Sequence, residues 1–142
     1  MKRVLIATDG SDGGNRALDA AVELAGATHA ALIVLTVGGN VTGADLRKLA
    51  DRGGDLSKSL QAQADRILKR AAVSARRGGV MPAALRCEWG DAAEAILDVA
   101  RREKVDAIVL GRRGGGRLSR LLMGSVSQKV ASLAACTVVV VP

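Results

Sequence analysis

Glycines at the exit of a strand are chemically useful, because no Cβ keeps a ligand away from the backbone. Here Gly111-Arg112-Arg113-Gly114 is followed, nine residues later, by Gly124-Ser125-Val126-Ser127. The apolar run Asp106-Ala107-Ile108-Val109-Leu110 leads into it and reads as a buried strand. Val126, Val130 and Leu133 recur behind it at helical spacing. A helix opening on Gly124-Ser125 directs free N–H groups and a positive dipole end at whatever lies before it. The Ser125 hydroxyl serves as N-cap, as an added donor, or as both. Such a loop suits a phosphate-bearing ligand. It also gathers Arg112, Arg113, Arg117 and Arg120 beside glycines. Most of these are expected in solvent, with one or two on phosphate.

The second chemically suggestive segment is Thr8-Asp9-Gly10-Ser11-Asp12, directly after Val4-Leu5-Ile6-Ala7. An acid at a strand end faces the crevice in which open α/β sheets hold ligands, so Asp9 is read as a ligand or metal-bridging group rather than only a turn brace. Asp12 is read as a helix-start acid favoured by the dipole. Two common phosphate motifs are excluded. A P-loop needs Lys followed by Ser or Thr, and Arg117 and Leu118 stand in those places. The glycines after the first strand do not have the dinucleotide G-x-G-x-x-G spacing. The two cysteines, Cys87 and Cys136, form no CxxC pair and have no His nearby in sequence, so they read as small packing side chains rather than zinc ligands. His29 falls between a helix and a strand, and Trp89 beside Gly90 is expected to pack locally.

The elements that position these residues follow from periodicity. Residues 4–7, 31–37, 83–87, 106–110 and 136–141 read as strands. Helical spacing appears in Leu18, Ala21, Val22 and Ala25 (stopping near Gly26), and in Leu60, Ala64, Ile67, Leu68 and Ala71 (closed by Gly78-Gly79). It appears again in Ala93, Ile96, Leu97 and Ala100, with Asp91 as N-cap. Residues 38–58 are a polar, glycine-dotted connection with a short helix around Ala44–Leu49. The order βαβαβαβαβ implies an α/β fold: an open five-stranded parallel sheet with helices on both faces. At 142 residues the chain is read as one domain, 1–142, long enough to bury roughly 70% of its unfolded surface. With one Trp and no Phe or Tyr, its core must be Val, Leu, Ile and Ala.

Taken together, the G-x2-G-x9-G-S spacing, Val4 to Ser11, Gly90-Asp91-Ala92-Ala93-Glu94-Ala95-Ile96-Leu97 and the closing strand resemble the universal stress protein family of the nucleotide-binding type. The resemblance spans the whole chain. It implies a Rossmann-like sheet of the adenine nucleotide alpha hydrolase-like kind and a site for an adenine nucleotide, usually ATP. ADP or AMP, and a magnesium ion carried by the phosphates, are left open. Carried over by position, Ala7, Thr8, Asp9 and Val37 would flank adenine and ribose. Leu110 and Gly111 would line the base and ribose, and Gly114, Gly124, Ser125 and Val126 would cradle the phosphates, with Arg113 as the candidate arginine. The resemblance also implies a homodimer through the last strand, Thr137–Val141, and a stress-response role. The chain departs from the family at Thr137, where Pro is frequent, and at Thr36, where His is frequent.

Three functions are compatible with this reading. The first is a nucleotide-binding regulatory protein whose 38–58 and 112–123 segments report occupancy to a protein partner. The second is a slow ATP-hydrolysing or nucleotidyl-transfer enzyme, which needs more than Asp9 and Asp12 to supply a base. The third is a nucleic-acid binder. A formal net charge of +7 permits it, but the near absence of aromatic platforms disfavours it. No secretory segment follows Met1 and no apolar run approaches ~18 residues, so a cytoplasmic protein with no membrane span is expected.

Overall fold

A computed structural model describes residues 1–39, 43–112 and 123–142. The chain runs β1 (Arg3–Ala7), α1 (Asp12–Thr28), β2 (Ala31–Val37), α2 (Gly43–Asp51), α3 (Asp55–Arg77), β3 (Ala84–Glu88), α4 (Ala92–Arg102), β4 (Ala107–Gly111), α5 (Ser125–Leu133) and β5 (Thr137–Val141). The five strands form one sheet in the order β3-β2-β1-β4-β5, and every neighbouring pair is parallel. The expected fold class is the observed one.

Strand alternation sorts the core into two layers. Val4, Ile6, Leu32, Val34 and Val109 point to one face and pack on Ala17, Leu18, Ala21 and Ala25 of α1 and Leu68, Ala71 and Ala75 of α3. Leu5, Ile33, Leu35, Ile108 and Leu110 point to the other face, against Ile96, Leu97 and Ala100 of α4 and Val130 of α5. Both faces of β1, β2 and β4 are therefore covered, which is why these strands read as unbroken apolar runs. The chain builds outward from β1 through β2 to β3. It then crosses by α4 to β4 on the other side of β1 and continues to β5. Strand order thus reverses at the β1/β4 pair, where open sheets of this type leave a crevice outside the strand carboxyl ends.

Two local features differ from the sequence reading, the end of α1 and the start of α3. Helix α1 does not stop at Gly26. It runs to Thr28 and ends on His29 in the left-handed region (φ 54°), whose N–H bonds Ala25 O. Ala25 is buried against the sheet, and that packing holds the last turn despite the glycine. The short helix expected around Ala44–Leu49 in the 38–58 connection is present as α2, Gly43–Asp51. Gly53 and Gly54, both at positive φ, turn the chain directly into α3, which starts at Asp55, five residues before the first apolar position read as helical. The alternation is therefore interrupted by one extra helix. By contrast, Asp91 caps α4 as expected, its carboxylate accepting from Glu94 N at 2.9 Å.

Candidate functional site

At the switch point, the β1–α1 turn is closed on itself. Thr8 is buried, and its N–H donates to Leu35 O of β2 at 2.9 Å. Thr8 Oγ1 accepts from Gly10 N at 3.2 Å. Asp9 Oδ1 accepts from Ser11 N (3.0 Å) and Ser11 Oγ (2.5 Å), and Ser11 Oγ accepts from Gly14 N at 3.2 Å as the α1 N-cap. Gly14 is dictated by space: a Cβ there would stand 2.6 Å from Thr8 Oγ1 and 2.8 Å from Asp9 Oδ1. Gly10 is dictated by conformation, at φ +78°. Asp12 takes its place in the first turn of α1, as read from the sequence.

The β4–α5 connection is built the opposite way. Its two ends are tied together at the base. Arg112 N donates to Val141 O at 2.7 Å and Gly124 N to Arg112 O at 2.8 Å. The buried Ser127 hydroxyl lies 2.7 Å from Arg112 O and 3.0 Å from Gly124 O, so its single proton is shared between the two ends. The residue in the N-cap position is Gly124, which has no side chain to cap with. Ser125 is the first helical residue, which corrects its reading as an N-cap. Helix geometry leaves the first N–H groups of α5 without intrahelical partners. With no side-chain cap on Gly124 among the described residues, they face the crevice with the positive end of the dipole.

Between these turns lies a cavity of about 280 Å³. Ala7, Thr8 and Asp9 form one wall, and Leu110, Gly111 and Arg112 form the next. Val37 closes one end, and Gly124, Ser125, Val126 and Ser127 close the other. The structure thus brings together nine of the residues singled out in the sequence: Ala7, Thr8, Asp9, Val37, Leu110, Gly111, Gly124, Ser125 and Val126. Arg113 and Gly114, like Arg117 and Arg120, lie outside the described residues. The cavity is near the small end of the range for small-molecule sites and has mainly apolar walls with polar groups at the rim.

Four lining residues were not among the site candidates, Gly14, Ala92, Ile96 and Ser127, and Arg112, one of the four loop arginines named from the sequence, lines the cavity as well. Ala92 and Ile96 lie on the sheet-facing side of α4 and cannot be told from ordinary core by periodicity. Gly14 carried a signal, a glycine in the first turn of a helix where Ala would be favoured. Ser127 carried one as well, the second hydroxyl of Gly-Ser-Val-Ser. Arg112 Nε is buried and has no hydrogen-bond partner among the described residues.

The remaining candidates lie elsewhere. Trp89 covers Gly38, where a Cβ would fall 1.9 Å from the indole ring, so it packs locally as expected. His29 caps α1 at the opposite end of the sheet. Cys87 is on the β3 edge and Cys136 borders β5 on the other edge, which separates the two thiols. Burial pushes both thiols up, helped at Cys87 by Asp65 and Glu88 and at Cys136 by Asp106. Among the described residues, no cluster of three or more His, Cys, Asp or Glu could hold a metal ion, and no helix is long and apolar enough to cross a membrane.

A doubly wound parallel sheet with a helix start beside a glycine-lined strand end defines an α/β protein with a crevice at the carboxyl ends of its strands. The chain belongs to the universal stress protein family, whose sequence model matches residues 1–142. It is 34% identical over 147 residues to the universal stress protein YxiE of Bacillus subtilis, covering 99% of both chains. Among solved structures, a universal stress protein in complex with cAMP matches with a TM-score of 0.74 and 28% identity, over 99% of this chain and 95% of that one. The universal stress protein from Archaeoglobus fulgidus in complex with dAMP matches with a TM-score of 0.71 and 25% identity, over 100% and 98%.

Proposed function

We propose that this protein binds an adenine nucleotide, ATP foremost, in the crevice between the β1–α1 and β4–α5 turns. The observation that carries the reading is the α5 N-terminus, where Gly124 leaves the first-turn N–H groups uncapped beside Gly111. The apolar walls from Val37, Ile96, Leu110 and Val126 suit a base, and Asp9 at the rim suits ribose hydroxyls. Gly124, Ser125 and Val126, with Gly114 and Arg113 from the intervening segment, would hold phosphates, and a magnesium ion would ride on those phosphates. The relatives solved with cAMP and dAMP support an adenine nucleotide in general. Binding rather than efficient turnover is proposed, because Asp9, the one carboxylate lining the crevice among the described residues, has an oxygen committed to Ser11.

Occupancy would be read by a second copy or another protein. β5 is the outermost strand next to β4, and its Val138–Val141 side chains are half-buried. An edge of this kind invites pairing, so the homodimer is proposed there. Calorimetry with ATP, ADP and AMP, with and without Mg²⁺, tests the reading on wild type and Gly114→Val. Micromolar binding lost in the variant supports it, and no binding to folded wild type refutes it. Light scattering with and without nucleotide tests the dimer.

A further inference from the structure

A second cavity of about 370 Å³ lies on the other side of the β1–α1 turn, between that turn and α3. Thr8 and Asp9 line both cavities and form the wall between them. The rest of its polar lining is Asn15 from α1 and Gln63, Arg66 and Arg70 from α3. Its floor is Ile67, whose side chain lies 3.1 Å from where a Gly10 Cβ would be, so α3 is pressed against the turn. Residues 63, 66, 67 and 70 recur at helical spacing and share one face of α3.

Among the described residues, Arg66 and Arg70 on this face lack partners. Arg66 and Arg70 stand at i,i+4, where like charges repel by a few tenths of a kcal/mol. Neither makes an ion pair or side-chain hydrogen bond among the described residues, although Arg86, Arg101, Arg102 and Lys129 all do. From Arg66 to Arg77, α3 carries five basic residues and no acid. The macrodipole accounts for Arg76 and Arg77 in the last turn, but not for a guanidinium pair two turns further in. Arg66 and Arg70 both line a concave space that Gln63 and Asn15 also line. A guanidinium offers a planar fork of donors matched to phosphate oxygens, and Gln and Asn amides can donate to the oxygens left over. Asp9 contributes one negative charge to the wall, and its Oδ1 is held by Ser11.

We propose that the pocket formed by Arg66, Arg70, Gln63 and Asn15 behind the Asp9 turn is a second anion site, taking a compact phosphate or phosphomonoester. It is separate from the nucleotide crevice and independent of what that crevice binds.

The test is an ¹H–¹⁵N NMR titration of the full chain with inorganic phosphate, and separately with ribose 5-phosphate, at constant ionic strength. The expected result is saturable shifts of the Gln63 and Asn15 side-chain amides and the Gly10 amide. Arg66→Gln/Arg70→Gln keeps good helix formers in α3 and should weaken binding at least about tenfold, the loss expected for charge-assisted bonds. Arg76→Gln/Arg77→Gln removes the same charge outside the pocket and should change affinity by less than about twofold, as expected for screened surface charge. Gly124→Asp, which blocks the α5 N-terminus, should leave the Gln63 and Asn15 shifts in place. Shifts confined to the amides of Ser125–Ser127 would assign the phosphate to the crevice and overturn the proposal. Equal weakening by the two arginine pairs would reduce the effect to net charge and overturn it too. Saturation by either ligand supports the site, and the tighter of the two identifies free phosphate or an organic phosphate as its ligand.

Discussion

The two βα turns at the switch point solve the same problem in opposite ways. After β1, Ser11 caps α1, Asp9 braces Ser11, and Gly14 lets the helix settle directly onto Thr8 and Asp9. After β4, the chain spends its hydrogen bonds on joining Arg112 to Gly124 and Ser127, and leaves the start of α5 without a side-chain cap. One turn is satisfied internally and offers shape; the other is left unsatisfied and offers donors. A helix end that completes its own hydrogen bonding has little to give an anion, so the difference supports the proposal that phosphate meets the β4–α5 turn.

The largest expected effect comes from forcing the closed turn open. Gly14→Val puts a branched side chain where even a Cβ meets Thr8 Oγ1 at 2.6 Å. The strain should cost about 3 kcal/mol of unfolding free energy, measured by urea denaturation, and adenosine binding should fall with it. Next is closing the open turn. Gly124 has φ −69° and ψ 162°, a conformation any residue can adopt. Gly124→Asp should cap α5, raise stability by a few tenths of a kcal/mol, and weaken ATP binding at least about tenfold. A variant more stable yet still binding at wild-type affinity would mean that the N-terminus of α5 is not the phosphate site.

Ser127→Ala removes the shared hydroxyl at the base of the open turn. A loss of about 1–2 kcal/mol in stability is expected, with ATP affinity falling more than adenosine affinity. Ser11→Ala, the matching change in the closed turn, should cost about 1 kcal/mol and leave the preference for ATP over adenosine unchanged. Calorimetry on this pair separates donor positioning from shape. The smallest effect lies at the far end of the same strands. There Asp106 Oδ2 accepts from Lys2 N (2.7 Å) and Arg3 N (2.8 Å). Those two bonds hold its carboxyl below the usual range. Its stabilisation is therefore present above the unfolded-state value, about 3.9, and is lost as pH falls through the lower folded-state value. Asp106→Asn should flatten that part of the acid limb, read as Tm against pH.

The open turn was the more legible of the two in the sequence. Its glycines, their spacing and the apolar runs on either side are local signals, and the strands around them follow from burial on both faces. The closed turn was only partly legible. Thr8 and Asp9 stand out at a strand end, but Gly14 matters because α1 approaches β1 closely, and no local pattern states that distance. Ser125 and Gly124 exchanged roles because Gly and Ser are both good N-cap residues, and the register of the helix start is decided by the bond from Gly124 N to Arg112 O. Gly26 was read as a stop because local propensity disfavours glycine in a helix, yet the packing of Ala25 and its neighbours outweighed a cost of about 1 kcal/mol.

The sequence by itself determined the order of the elements, the two-faced burial of the sheet, and the pairing of a glycine-lined strand end with a helix start. All of these are local or periodic, written in side-chain volume and hydrophobic spacing. Only the tertiary structure decided which residues from distant segments share a wall. It set Ile96 of α4 opposite Val126 of α5, and it placed Asp9 between two cavities. It also brought Arg66 and Arg70 to the same cavity as the first turn. Strand order and helix approach set those juxtapositions, and they arise from the packing of two layers on one sheet, which no window of sequence contains.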